Sequence, residues 1–237
     1  MSSSTSPTST SRTPLIVGGI AALVAILAVV AILVAGSDDE GDASGNGAAP
    51  PPATESRQPA EFRGEARDVE IEGEALPPYP DGAGPDPAIG MRPPLLVAED
   101  ASGVVHTISP DIAGPTLLVF LAHWCPACNN EVPSIMRVSE SGGFPPDLNV
   151  YAVLTGLAPD RPNFPPSRWL ADLGWPYVAV ADGLDFDVSP ATWAAANAFG
   201  LTAYPYSVLV NDGVVVDRWT GELGDPNLAA RVASHVS

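Results

Sequence analysis

There is no lysine among the 237 residues: all ten basic side chains are arginine, set against 28 Asp and Glu, for a formal net charge of -18. So acidic a chain repels nucleic acid and anionic membrane surfaces alike, which excludes binding carried by phosphate contacts. Cysteine is nearly absent as well. Two cysteines and three histidines, of which only His123 is near the cysteines, are too few for an ordinary zinc site, and one built from His123, Cys125 and Cys128 is cramped. Asn129 rather than histidine follows Cys128, which excludes covalent haem attachment. No nucleotide, flavin or haem signature occurs, so no cofactor is expected.

What is present begins with an apolar run. Residues 15–35 are Leu, Ile, Val, Ala and Gly only. At about 1.5 Å per residue such a run crosses roughly 30 Å, the hydrocarbon core of a bilayer. Residues 14–35 are therefore read as a transmembrane anchor. The competing reading is a cleaved signal peptide, whose apolar region is usually about 7 to 15 residues long. Arg12 precedes the run and Asp38, Asp39, Glu40 and Asp42 follow it, which puts the N-terminus in the cytoplasm and the rest outside. No cysteine follows the run directly, against a lipid-anchored lipoprotein.

Residues 1–13 are mostly Ser, Thr and Pro and read as a disordered cytoplasmic stub. Residues 36–87, rich in Pro, Gly and acids, read as a tether. Within it Val69 and Ile71 alternate with Glu70 and Glu72, which admits a short added strand, but the reading adopted is a solvated linker. Residues 88–237 are the expected folded domain. Apolar runs at 95–99 and 104–108, separated by Asp100, Ala101, Ser102 and Gly103, predict a hairpin. Runs at 116–122 and 148–154 predict strands buried on both faces, and the spacing of Val132, Ile135, Met136 and Val138 predicts a helix over 127–139.

Beyond a proline-rich stretch at 158–166, a short helix is predicted over 167–173 and an extended segment over 177–180. Ser189 and Pro190 predict the start of a helix that Gly200 closes. Strands at 206–210 and 214–219 flank Asn211, Asp212 and Gly213, a turn expected to carry a bulge or loop residue, and Asp225 with Pro226 opens a last helix. The order predicts an α/β fold with a mixed central sheet flanked by helices.

Cys125, Pro126, Ala127 and Cys128 lie where a buried strand gives way to a helix. A thiolate there meets unpaired backbone N–H groups and the positive end of the helix dipole, which predicts a lowered pKa for Cys125. The two-residue spacer lets Cys128 attack a mixed disulfide formed by Cys125, so Cys125 is the expected nucleophile and Cys128 the resolving thiol. As a structural staple the pair closes only a four-residue loop, worth about 2 kcal/mol against roughly 3 for a fifteen-residue loop. Redox exchange in an oxidising compartment is the better account.

Residues 117–133, LLVFLAHWCPACNNEVP, resemble the active-site strand and helix of thioredoxin-fold proteins, especially the extracytoplasmic TlpA/ResA-like branch. In that branch an aromatic-Cys-x-x-Cys precedes a Glu-x-Pro, matched by Trp124 to Cys128 and by Glu131, Val132 and Pro133. The resemblance extends over most of residues 88–237 and implies a thioredoxin-like fold with protein disulfide oxidoreductase activity. It implies that Pro133 kinks the active-site helix, and that Pro205, after Tyr204, is cis and lies against the Cys pair where a client backbone binds. Trp124 is expected to shield the sulfurs. Thioredoxins themselves carry a buried Asp six residues before the first Cys; here the residue is Val119, leaving Glu131 and His123 as candidate proton acceptors for Cys128.

The expected function is thus a membrane-anchored reductase of extracytoplasmic protein disulfides, for instance on apo-cytochromes, resupplied by a membrane dithiol protein. A disulfide-forming oxidase is the alternative within the same chemistry, because the Pro126-Ala127 spacer does not set the direction. A copper chaperone or assembly factor is the alternative in another class, although its relatives use a three-residue Cys spacer.

Overall fold

The computed structural model describes residues 57–236 apart from 63, 81 and 83. The stub at 1–13 and the anchor at 14–35 lie outside the described residues, among which no helix is long and apolar enough to cross a membrane. In chain order the elements are a 3-10 turn (Ala60–Phe62), β1 (Glu70–Glu72), β2 (Leu95–Glu99), β3 (Val105–Ile108), β4 (Thr116–Leu121), α1 (Pro126–Glu140), β5 (Asn149–Leu154) and α2 (Pro166–Leu173). There follow β6 (Val178–Ala181), β7 (Leu184–Asp185), β8 (Thr192–Trp193), α3 (Ala194–Ala198), β9 (Tyr206–Asn211), β10 (Val214–Thr220) and α4 (Asp225–Ala233).

The main sheet has the order β10-β9-β4-β5-β6. β4, β5 and β6 run parallel, β9 lies antiparallel to β4, and β10 is antiparallel to β9. All six residues of β4 are buried, because side chains alternate across a sheet covered on both faces. Leu117, Val119 and Leu121 meet Val132 and Ile135 of α1 with Leu228 and Val232 of α4. Leu118 and Phe120 meet Phe199 beside α3, Leu96 of β2 and Ile108 of β3. Fully burying each such aliphatic or aromatic side chain contributes about 1.5–3 kcal/mol.

Both predicted hairpins form. β2 pairs antiparallel with β3, and Asp100 Oδ1 shapes the turn by accepting from the N–H groups of Ser102 at 2.9 Å and Val104 at 3.0 Å. Between β9 and β10, Asp212 (φ 51°) and Gly213 (φ 79°) make a two-residue turn, with Asn211 facing Val214. The expected extra residue lies further on, as a bulge between Val215 and Asp217.

Two expectations are corrected. The chain reads as a tether through residue 87, yet its described residues from 57 onward are bonded into the folded domain. β1 pairs with β2, setting Ile71 opposite Leu96, and Leu76 is buried. The sequence hides this because the partners, apolar and polar alike, lie far along the chain. The Leu76 N–H donates to Ala198 O and the Tyr79 N–H to Gly200 O, both at 2.8 Å, while the buried Arg218 binds Asp86 and the Pro77 carbonyl. Prolines without N–H groups still supply carbonyls and extended backbone to such contacts.

The second correction concerns α3, which starts at Ala194 rather than at Ser189 and Pro190. Thr192 and Trp193 are extended, pairing with Asp185 and Leu184, and the Trp193 ring packs 5.6 Å from Phe62. The capping carboxylate is Asp182, whose oxygens accept from the N–H groups of Ala195 at 2.8 Å and Ala196 at 3.1 Å. Gly200 does close this helix, at φ 76°, and a Cβ there would come within 2.3 Å of Pro77 O.

Candidate active site at the start of the long helix

Cys125 leaves β4 in an extended conformation (φ -77°, ψ 121°) and occupies the N-cap of α1, with Pro126 in the first turn. Proline suits this place because its missing N–H would be unsatisfied anyway. Cys125 is 8 % exposed and Cys128, one turn along, is fully buried; both are free thiols. Ala127 between them is half-buried.

The peptide bond between Tyr204 and Pro205 is cis, as the resemblance implies, and Cys125 Sγ lies 3.8 Å from the Tyr204 carbonyl oxygen. β9 starts directly after Pro205 and is paired with β4, which is how a residue 79 positions away meets the first cysteine. Trp124 donates its indole N–H to Gly156 O at 2.7 Å and sets its ring edge to face against Tyr204, with centroids 5.8 Å apart. Pro133 lies inside α1.

Burial pushes the Cys128 thiol well above the usual thiol range, and the neighbouring Cys125 and Glu131 act in the same direction. Glu131 is itself buried. Its Oε2 accepts from the Leu223 N–H at 3.0 Å, while Oε1 has no partner among the described residues. Burial raises its pKa above the ordinary carboxylate value, Glu222 and Asp225 add to this, and the backbone N–H groups of Leu223 and Gly224 oppose it. A cleft of about 540 Å³ between α1 and the 222–224 loop adjoins those backbone groups.

Both ring nitrogens of His123 are engaged away from Cys128. The ring is fully buried, Nδ1 lies 2.7 Å from Pro162 O, and Nε2 accepts from the Ala158 N–H at 3.2 Å. These partners require a proton on Nδ1 and none on Nε2, so neither nitrogen is free, and burial lowers the pKa. His123 instead fastens the proline-rich 158–165 loop to the residues before the Cys pair. Val119 is fully buried on the α1 side of β4, so no carboxylate comes from that position.

Sequence reasoning missed Asn129. Its amide N–H donates to Cys125 O at 2.8 Å and to His123 O at 3.3 Å. Its oxygen accepts from the Trp169 indole at 2.9 Å and from the Asn163 amide at 3.1 Å. One side chain thus ties the turn holding Cys125 to α2 and to the 158–165 loop. Asn163, held at φ 64°, adds a bond to His123 O at 3.0 Å. No sequence pattern marks this knot, although an Asn directly after the second cysteine of such a motif is where to look.

A strand, a helix carrying two cysteines at its start, a parallel crossover and a closing hairpin entered through a cis proline make this a thioredoxin-like fold. No family model matches the chain, and no curated protein matches it. Among solved structures it is similar to StoA from Bacillus subtilis, at 18 % identity, covering 61 % of this chain and 98 % of that one, with a TM-score of 0.46. It is also similar to a thioredoxin-family thiol:disulfide interchange protein from Chlorobium tepidum TLS, at 16 % identity, 65 % and 100 % coverage and a TM-score of 0.49. A third is the thioredoxin domain of a thiol-disulfide oxidoreductase from Bacteroides vulgatus, at 19 % identity, 63 % and 99 % coverage and a TM-score of 0.49.

Proposed function

We propose that this protein is a thiol/disulfide oxidoreductase that reduces protein disulfides, with Cys125 as nucleophile and Cys128 as resolving thiol. The observation that carries the reading is a pair of free thiols at the start of α1, the first barely exposed and the second wholly enclosed. Cys125 stands at the N-cap of α1 and is 8 % exposed, and Cys128 is wholly enclosed one turn along.

The Cys125 thiolate attacks one sulfur of a client disulfide. A Cys125–client bond forms, the client S–S bond breaks, and the displaced client thiolate takes up a proton. Cys128 then passes its proton to Glu131, and its thiolate attacks Cys125 Sγ. A Cys125–Cys128 disulfide forms, the second client thiolate leaves, and two electrons have moved from the pair to the client.

The direction, reduction rather than oxidation, is taken from the likeness of residues 117–133 to the TlpA/ResA-like branch. In this reading residues 14–35 anchor the chain, the folded part works outside the cytoplasm on clients such as apo-cytochromes, and a membrane dithiol protein returns electrons to the pair.

The test is equilibration with glutathione buffers of graded potential, followed by trapping of free thiols. A pair that stays oxidised in buffers where half the glutathione is reduced supports the reductase; one that stays reduced there supports an oxidase. Cys125→Ser must abolish disulfide exchange and Cys128→Ser must accumulate mixed disulfides. Exchange that survives Cys125→Ser would remove the proposal.

A further inference from the structure

Every other arginine among the described residues faces an Asp or Glu. Arg161 pairs with no carboxylate of the described residues, its chain neighbour Asp160 included. It is exposed, and its guanidinium lies 5.5 Å from the centroid of the Trp124 ring, on the residue directly before Cys125. In so acidic a protein a cation that pairs with no acid of the described residues, stacked on the residue before the attacking cysteine, needs a reason.

The position is built rather than incidental. The Arg161 N–H donates to Ala158 O at 2.9 Å, and both flanks of the residue are tied to His123. The Ala158 N–H donates to its Nε2, and the Pro162 carbonyl accepts from its Nδ1. Asn163 continues the strap to His123 O and Asn129. Stacking on Trp124 narrows the side chain's freedom, so pairing with an incoming group costs less ordering entropy.

The formal charge of -18 repels an acidic client and draws a basic one, over a Debye length of about 8 Å at physiological salt. At contact the preference reverses at one point, because a carboxylate passing Trp124 meets a guanidinium that no acid among the described residues occupies. Building on the exchange reading above, the geometry points to Arg161 as a specificity residue for a client that is basic overall and carries an Asp or Glu beside the cysteine it presents to Cys125.

The experiment uses two synthetic peptides, each in mixed disulfide with the same neutral thiol and differing only in Glu or Gln next to the cysteine. Second-order rates of their reduction by the reduced full chain are measured at low and high salt. The Glu peptide is expected to react about threefold to fivefold faster at low salt, with the ratio shrinking at high salt. In Arg161→Gln the ratio falls to one, and in Arg161→Lys part of it survives. A ratio of one in the unaltered protein, or one that Arg161→Gln leaves in place, overturns the assignment and spares the exchange reading. Failure of the unaltered protein to reduce either peptide overturns both.

Discussion

The carbonyl oxygen of Tyr204 stands 3.8 Å from the sulfur of Cys125. Tyr204 also packs its ring on Trp124, and its hydroxyl lies where a Cβ on Gly156 would come within 2.5 Å. Cys125 is therefore enclosed by segments far apart in sequence and is only 8 % exposed. On the proposed exchange, a client approaches Cys125 beside Trp124 and the backbone before β9.

Glu131 is expected to set the pH dependence of the resolving step. Its carboxyl, buried beside Cys128 and lifted above the ordinary range, is a proton acceptor that Gln cannot replace. Glu131→Gln should slow the release of a client held on Cys125 by about 100-fold at neutral pH, the low end for general-base catalysis. The inflection assigned to the carboxyl should vanish from the pH profile. Stopped-flow decay of a preformed mixed disulfide measures this, and an unchanged profile would take Glu131 out of the mechanism.

Asn129→Ala should affect both stability and potential. It leaves the Trp169 indole and the Asn163 amide without their acceptor and releases the Cys125 carbonyl. The buried Trp169 indole left unpaired costs about 1–3 kcal/mol, whereas the exposed Asn163 amide keeps its bond to His123 O. Urea unfolding reads that loss, while glutathione equilibration reads whether the redox potential of the Cys pair moves. A drop in stability with an unmoved potential means that Asn129 only supports the loop.

Asp182 should make stability depend on pH in the direction opposite to a salt-bridged carboxylate. It is fully buried, and burial lifts its pKa from 3.8 to about 6 against the pull of the N–H groups of Ala195, Ala196 and Gly183. Because the folded chain holds this proton more tightly, the group's contribution is fully present below pH 3.8 and is lost as pH rises through about 6. That shift corresponds to about 3 kcal/mol. Asp182→Asn loses cap bonds, yet its stability relative to the unaltered protein should rise by about that amount between pH 4 and 7. Urea curves that remain parallel across this range would refute the assignment.

The buried contact of Arg218 with Asp86 should carry the early segment. Asp86→Ala leaves a fully enclosed guanidinium without its counter-charge, which costs about 3–5 kcal/mol. Limited proteolysis should then cut residues 74–90 first, with disulfide exchange at Cys125 retained in what remains folded. Resistance equal to that of the unaltered chain would show that Leu76 and β1 suffice to hold the segment.

What could be read without coordinates was whatever short-range pattern decides. The unbroken apolar run of β4, the cysteines at the following helix start, the turn-forming Asp212 and Gly213 and the helix-closing Gly200 each act within a few residues. The cis Pro205 came from the resemblance. Tertiary structure alone decided the rest, because the deciding partners are distant in the chain. Arg218 reaches Asp86 across 132 positions and makes a proline-rich tether part of the fold. His123 is spent on Pro162, 39 positions on, rather than on Cys128. Asp182 starts α3 at Ala194, beyond the start that Ser189 and Pro190 advertise. Local sequence states which bonds a residue is able to make; only the packed chain determines which of those partners comes within reach.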